Sequence, residues 1–158
     1  MVRLVDLPAW EREHMLEKIP ALPKFGLNPW VAGGPLSKRR IAIVTSAGLH
    51  TRGDRPFGLG AARNDYRVIP GSIAAADLVM SQVSVNFDRT GFQQDLNVVF
   101  PIDRLRELAA EGVIGSVADY HYSFMGAGSP VTRMEASARE VGRLLKQDNV
   151  DAVLLTPV

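Results

Sequence analysis

The chain has 158 residues, 46% of them hydrophobic and 22% charged, which suits a single globular domain with a buried core. Its 18 basic and 17 acidic side chains leave a net charge of +1, too small to predict electrostatic binding of nucleic acid or an anionic membrane. There is no cysteine, so disulfides, thiolate metal sites and thiol nucleophiles are excluded within these residues. No apolar stretch reaches the roughly 20 residues that cross a bilayer, and the charged start lacks a signal-peptide centre. We therefore expect a cytoplasmic protein.

Residues 1–38 are predicted to form an N-terminal arm, and residues 39–158 an α/β domain. An amphipathic stretch at residues 10–19 predicts a helix of about two or three turns, because proline disfavours helical backbone in the residue before it. The aromatic side chains of Trp10, Phe25 and Trp30 are expected to anchor this arm by apolar burial.

The first strand is predicted at residues 41–44, a β-branched run that is followed by a polar loop at residues 45–48. A long loop is expected over residues 49–63, and loops of that length are usually functional. Strands are also predicted at residues 66–69 and 78–85, with a helical turn between them that Ser72 caps.

The second half begins with an extended segment at residues 97–100. Pro101 then opens a helix with Leu105, Leu108 and Ala109 on one face, and Gly112 ends it. A strand is expected at residues 113–118.

A second helix is predicted to end near Gln147, with Ser129 as its N-cap and Pro130 at its first position. Its inward side chains are expected to be Met134, Ala138, Val141 and Leu145. A turn at residues 148–149 then leads to a last buried strand at residues 152–155.

Strands that alternate with helices predict an α/β fold with a mostly parallel sheet and helices on both faces, in Rossmann-like or flavodoxin-like layers. We expect this fold to be incomplete at the C-terminus and to be the first part of a longer domain, because nothing covers the last strand. Ligands of such sheets bind beyond the carboxyl ends of the strands. This rule brings four segments to one edge: residues 45–50, 84–88, 120–126 and Thr156.

Polar and small residues at this edge are the candidate substrate-binding groups. They are Thr45, Ser46, His50, Asn86, Asp88 and Thr156. Small residues at 45–48 would let backbone N–H groups approach a carboxylate, although an ordinary tight turn has the same composition. Asn86 and Asp88 would orient a carboxylate or amine, or would lock their own loop, as would Asp95 and Asn97.

Histidines offer the other reactive groups. His14, His50 and His121 are too far apart for an HExxH pattern, and no GxGxxG or P-loop is present, so neither a metal nor a nucleotide cofactor is predicted. His121 is the candidate catalytic residue, because it follows a predicted strand and imidazole titrates near neutral pH. A buried structural histidine is the alternative. Without a GxSxG elbow, Ser46 does not predict a hydrolase.

Five segments of the sequence together resemble one known family. The most specific are NVVFPIDRLRELAAEGVIGSVA at residues 97–118 and HYSFMG at residues 121–126, and shorter matches occur at residues 20–25, 35–37 and 44–50. They resemble the selenoprotein B family of glycine, sarcosine, betaine and D-proline reductases, most of all its D-proline reductase branch. The resemblance extends over nearly the whole chain.

The resemblance implies a redox residue just beyond this sequence. In the family, the strand that resembles residues 151–157 leads to a selenocysteine, or to a cysteine, with a further cysteine a few residues later. We therefore expect selenocysteine directly after Val158, and a reading frame that was ended at its UGA codon.

The resemblance also implies the reaction and the partners. A selenolate cleaves the C–N bond beside an activated amino group, and a thiol then reduces the selenium–sulfur bridge. The expected partners are a subunit with a pyruvoyl group, a thiol or selenol electron-donor protein and a small amino-acid substrate, in a hetero-oligomer. Two alternatives remain: a non-catalytic binding or scaffold domain derived from the family, and a reductase homologue with a different substrate.

Overall fold

The computed structural model describes residues 3–24, 26, 31–58, 64–84, 87–127 and 131–158. The chain divides into two compact units, Met1–Val31 and Ala32–Val158. The roles predicted for Phe25, Trp30, Asn86, Ser129 and Pro130 lie outside the described residues. Within the described ranges, no helix has the length and apolar character to cross a membrane.

The first unit contains helix α1, Ala9–Lys18, which begins after Pro8. A 3-10 turn that contains Pro20, Ile19–Ala21, follows it directly. The predicted short helix is therefore confirmed, and proline lies where it ends. The predicted burial of Trp10 is wrong, because this side chain is 72% exposed.

The second unit is built on a five-stranded sheet around β1, Arg40–Thr45. β1 pairs in parallel with β5 (Ser116–Val117) and β6 (Tyr120–Phe124) along one side. It pairs in parallel with β7 (Ala152–Thr156) along the other. β3 (Tyr66–Pro70) runs antiparallel to β6 at the far side of the sheet.

A separate antiparallel sheet of two strands joins β2, Leu49–Thr51, to β4, Leu78–Met80. The sheet structure is therefore mixed, and the prediction of a mostly parallel sheet is wrong. Parallel neighbours need a long crossover, usually a helix. The described residues between β1 and β3 contain β2 but no α-helix. β2 also occupies the start of the segment that was predicted to be a loop.

Three further helices belong to this unit: α2 (Thr90–Gln94), α3 (Ile102–Ala110) and α4 (Glu135–Gln147). Alternate residues of a strand point to opposite faces of the sheet. On one face, Ile43 of β1 belongs to the same buried cluster as Leu105 of α3. On the other, Tyr122 of β6 packs with Val141 of α4. The α/β class is therefore confirmed, and the Rossmann-like or flavodoxin-like layering stays a prediction.

Several local predictions differ from the structure. Residues 97–100 are not extended, because the Asp95 side chain accepts from the Asn97 N–H and supports a 3-10 turn, Leu96–Val98. The helical turn after β3 is Ala75–Asp77. Its N-cap residue is Ala74, so Ser72 does not cap it. The strand predicted at residues 78–85 is β4, which ends at Met80. Ala138 is exposed, and Ser137 faces inward and donates to the Asn64 carbonyl at 2.6 Å.

The last strand is present but is not buried as predicted. Val153, Leu154 and Leu155 are 40%, 38% and 67% exposed. Among the described residues, β7 pairs only with β1. Burial depends on neighbouring elements, and β7 lacks a neighbour along its outer edge.

Candidate functional site

The carboxyl ends of β1, β6 and β7 meet at Ser46. Its N–H donates to the Thr156 carbonyl at 3.2 Å, and its own carbonyl accepts from the Gly126 N–H at 3.0 Å. Gln82 Nε2 donates to the same carbonyl at 3.2 Å, and Ser46 Oγ accepts from the Val158 N–H at 2.9 Å. Segments far apart in the sequence therefore converge on one residue at the sheet edge.

Two glycines allow the backbones to approach one another here. Gly48 has φ +68°, and a Cβ on it would lie 2.8 Å from the Cε of Met125. A Cβ on Gly126 would lie 2.9 Å from the Cβ of Ser46 and 3.1 Å from its carbonyl oxygen. Gly48 requires glycine because of its positive φ, and Gly126 requires it because Ser46 leaves no room for a side chain.

Two open cavities flank this junction. The first has a volume of about 290 Å³ and lies between the ends of β1 and β7 and the start of α4, with Phe124, Met134 and Leu155 in its wall. The second has a volume of about 230 Å³ and is lined by Gln82 and Val158, among others. Val158 therefore lies in the wall of the second, more polar cavity, and Pro157 lies in the wall of the apolar one.

Two threonine hydroxyls predicted to bind substrate lie at this edge. Thr45 is 1% exposed, and its Oγ1 accepts from the Ala47 N–H at 3.2 Å. Thr156 Oγ1 lies 3.5 Å from the Val44 carbonyl. Thr45 thus stabilises the turn after β1, and the more exposed Thr156 lies in the wall of the apolar cavity.

His50 is engaged within the small sheet. Its Nδ1 lies 2.8 Å from the Thr51 carbonyl, and its Nε2 lies 2.7 Å from Ser81 Oγ. A carbonyl can only accept, so Nδ1 carries a proton and donates to it. Both ring nitrogens are occupied, and His50 joins β2 to the segment after β4.

His121 lies within β6, not after a strand, and is fully buried in the middle of the sheet. Its Nδ1 accepts from the Ile43 N–H at 2.9 Å, so the neutral ring carries its proton on Nε2. That atom has no hydrogen-bond partner among the described residues. The ring stands edge-on to Phe100 at 5.4 Å. Burial lowers the pKa of His121 to about 4, so the ring is neutral at pH 7. This geometry favours the structural interpretation of His121.

The carboxylates near this edge stabilise local structure. Asp88 Oδ1 accepts from the Thr90 N–H at 2.8 Å at the start of α2. Hydrogen bonds from Thr90 also hold the pKa of Asp88 below its usual range. Asn97 Oδ1 accepts from the Asp103 N–H at 3.1 Å and so caps α3. The side chains of Asp88, Asp95 and Asn97 therefore hydrogen-bond nearby backbone N–H groups and stabilise their own loops.

Gln82 is a residue that the sequence interpretation missed. It is 5% exposed; besides the bond to Ser46, its carbonyl accepts from Arg89 Nη2 at 2.5 Å. Its Oε1 accepts from the Ser84 N–H at 3.2 Å. A single glutamine after a short strand carries no recognisable motif. Within the described part of the chain, no group of three histidine or acidic side chains is arranged to hold a metal ion.

The fold and the site define an α/β domain whose ligand edge carries hydroxyl and amide groups and, in a chain without cysteine, no thiol. The family model of the glycine/sarcosine/betaine reductase selenoprotein B matches residues 17–158. The chain therefore belongs to this family, as its resemblance indicated.

Individual relatives agree with the family. D-proline reductase subunit gamma of Acetoanaerobium sticklandii is 39% identical over 122 residues, which are 77% of this chain and 49% of that protein. Glycine reductase complex component B subunit gamma of Symbiobacterium thermophilum is 35% identical over 140 residues, 87% of this chain and 32% of that protein. Sarcosine reductase complex component B subunit beta of Peptoclostridium acidaminophilum is 34% identical over 142 residues.

The chain thus spans about half of the first of these relatives and about a third of the second. The relatives are components of reductase complexes with several subunits. No solved structure matches the chain significantly.

Proposed function

We propose that the protein is a subunit of an amino-acid reductase of the glycine or D-proline type, and that its redox residue, a selenocysteine or cysteine, directly follows Val158. The protein would act in a hetero-oligomer with a pyruvoyl-containing subunit and a thiol or selenol electron donor. Its substrate would be a small amino acid.

The position of Val158 carries this proposal. The bond from its N–H to Ser46 Oγ holds the end of β7 against the junction of three strands. A residue after Val158 would leave from the edge where sheets of this kind bind their ligands. Pro157 lines the apolar cavity and Val158 lines the more polar one.

The chemistry needs a group that this chain does not contain. A selenocysteine or cysteine after Val158 would supply it, as the anionic nucleophile that takes the place of the amine on the substrate carbon, and two thiols of the electron donor would supply the two electrons that release the reduced product. A pyruvoyl group on a partner subunit would activate the amino group.

The residues of this chain would bind and orient at that edge. Ser46 fixes the backbone that leads into the redox residue, and Gln82 fixes the carbonyl of Ser46 from the opposite side. The apolar cavity beside Leu155 would exclude water from the reacting carbon. Neutral, buried His121 would have no part in proton transfer.

Sequencing the gene beyond the Val158 codon is the first test. We expect UGA, or a cysteine codon, followed by an open frame with a nearby cysteine codon. A UAA or UAG codon with no continuing frame would remove the proposed redox residue and leave a binding or scaffold domain.

Activity of the complete gene product, combined with its pyruvoyl partner and a dithiol, is the second test. We expect reductive C–N cleavage of one of D-proline, glycine, sarcosine or betaine. The S46A variant should lower kcat several-fold, because the redox segment loses its anchor, while S72A at an exposed site should not. No cleavage of any of the four substrates would contradict the proposal.

A further inference from the structure

β7 exposes apolar side chains on both faces of the sheet. In its register with β1, Val153 and Leu155 lie opposite Ala42 and Val44, on the face that α4 covers. Leu154 lies on the opposite face and is 38% exposed. Leu155 is the most exposed of the three, at 67%. A strand of this composition is normally buried on both faces.

The outer edge of β7 also presents backbone groups without a partner strand. The Thr156 carbonyl accepts from the Ser46 N–H, and the Ile41 carbonyl of β1 accepts from the Ala118 N–H on the other side of β1. Alternate residues of a strand point their backbone groups to opposite sides, so Leu154 and Thr156 face β1, and the N–H groups of Val153 and Leu155 point away from it. Exposed apolar edges of this kind recruit another strand.

α4 leaves the β7 side of its face open. Its core contacts are with Tyr122 and Phe124 of β6. The cavity of about 290 Å³ lies between Met134, at the start of α4, and Leu155. An element placed beside α4 would therefore cover Leu155 and close the open side of this cavity.

We propose that the residues following Val158 form a helix on the α4 face, packed against Val153, Leu155 and Met134, and then a strand that pairs in parallel with the outer edge of β7. This inference rests on the continuation of the chain that the proposed function includes. It adds what that continuation does to the fold.

The relatives provide the length that this occupant needs. The aligned residues make up 49% of D-proline reductase subunit gamma and 32% of the glycine reductase subunit, so both contain further chain. A continuation after Val158 begins at the carboxyl end of β7, beside the open cavity. The residues that directly follow Val158 therefore start next to the exposed side chains of β7.

Chain handedness selects the α4 face. The connection from β6 through α4 to β7 crosses over β1 and places its helix on this face. Crossovers between parallel strands are right-handed in about 98% of cases. A next strand beyond β7 continues in the same direction across the sheet, so its helix lies on the same face. A strand from a second copy would satisfy the edge but would leave Leu155 uncovered.

Hydrogen exchange of the full-length product, with cysteine in place of any selenocysteine, tests the strand. In dilute samples shown to be monomeric by light scattering, the outward amides of Val153 and Leu155 should exchange about as slowly as those of Leu154 and Thr156, which face β1. Fast exchange at the two outward amides overturns the proposal. So does protection that appears only on adding the partner subunit or raising the concentration, since the occupant is then another chain.

A matched pair of variants in the same full-length protein tests the helix. L155D should lower Tm by about 10 °C, because it places a charge under the proposed helix. V98D, at a side chain that is 61% exposed on the turn before α3, should lower it by less than about 2 °C. Equal shifts for the two variants overturn the proposal.

These outcomes separate the inference from the proposed function. Protected amides in a protein without reductase activity support the inference and oppose the function. Reductase activity in a protein whose outward amides are unprotected supports the proposed function and opposes the inference. A UAA or UAG codon after Val158 with no continuing frame overturns both. A continuing frame that lacks a selenocysteine or cysteine overturns only the proposed function.

Discussion

At the scale of single residues, Gly126 packs so closely against Ser46 that a single added methyl group would disturb the site. A Cβ at this position would lie 2.9 Å from Ser46 Cβ and 3.0 Å from its Oγ, and Ser46 is also held by Gln82 and by residues 156–158. We expect Gly126→Ala to reduce the free energy of unfolding by about 1–3 kcal/mol, the usual effect of overpacking. Urea unfolding would measure it. Gly53, which has no atom within 4 Å of the corresponding position, is the control: Gly53→Ala should change stability by less than about 0.5 kcal/mol. Similar values for both would show that the junction at Ser46 is not tightly packed.

His121 should make the stability of the fold depend on pH. Burial is the main cause of its lowered pKa of about 4, the nearby charges of Arg106 and Arg40 lower it further, and Asp148 opposes them. The unfolded chain, with an ordinary histidine pKa of about 6.5, binds the proton more tightly than the folded chain. This contribution to stability is therefore complete above about pH 6.5 and is lost as the pH falls towards 4.

Between pH 7 and pH 5 we expect the wild-type protein to lose about 2 kcal/mol of stability through this histidine. His121→Asn keeps an acceptor at the position of Nδ1 for the Ile43 N–H but does not titrate, so its stability should fall by that much less over the same range. Urea unfolding at the two pH values would measure the difference. If both proteins lost the same amount, His121 would not be the neutral, buried group that the structure shows.

At the scale of elements, Arg40 and Asp148 join the start of β1 to the turn between α4 and β7. Arg40 Nη2 donates to Asp148 Oδ1 at 2.5 Å and its Nε to the Asp148 carbonyl at 2.7 Å. Asp148 Oδ2 accepts from the N–H groups of Asp119 and Tyr120 at 2.9 and 3.2 Å. One carboxylate, 12% exposed, thus holds three strands in register.

Asp148→Ala should therefore destabilise the fold by about 2 kcal/mol, because it leaves two backbone donors without their acceptor. It also removes one of the two carboxylates of Arg40, whose other carboxylate partner is Asp119. The exposed pair of Glu140 and Arg143 on α4, with N···O 2.6 Å, is the control, and Glu140→Ala should change stability much less than Asp148→Ala. Thermal or urea unfolding would measure both. Equal losses would mean that the contacts of Asp148 are no more stabilising than an ordinary surface pair.

Elements with local signals could be predicted from the sequence. Pro101 and Gly112 bound α3, and Leu105 lies in the core, because cap residues and helical periodicity act within a few residues. β6 was missed because His121 and Ser123 are polar yet fully buried. Their hydrogen bonds go to Ile43 and Leu49, partners that no local pattern reveals.

At the scale of the whole molecule, the sequence predicted which segments meet but not how the strands run. The convergence of residues 45–50, 120–126 and Thr156 followed from one rule about parallel strands, and β1, β6 and β7 are parallel. The antiparallel direction of β3 was not predicted, because strand direction depends on the path of the connecting chain. The exposure of β7 was not predicted either, since an apolar run alone does not show whether another element covers it.

The same exposure predicts how the 158-residue chain behaves in solution when nothing covers β7. An apolar strand with an open edge pairs with another copy, so the average mass from light scattering should rise above 17.2 kDa as concentration increases. Leu155→Lys puts a charge on that strand and should hold the mass near the monomer value. Val131→Lys, at a site 52% exposed and outside β7, should associate like the wild type. If all three chains stayed monomeric, the edge of β7 would not be adhesive, and the apolar side chains on it would need no cover.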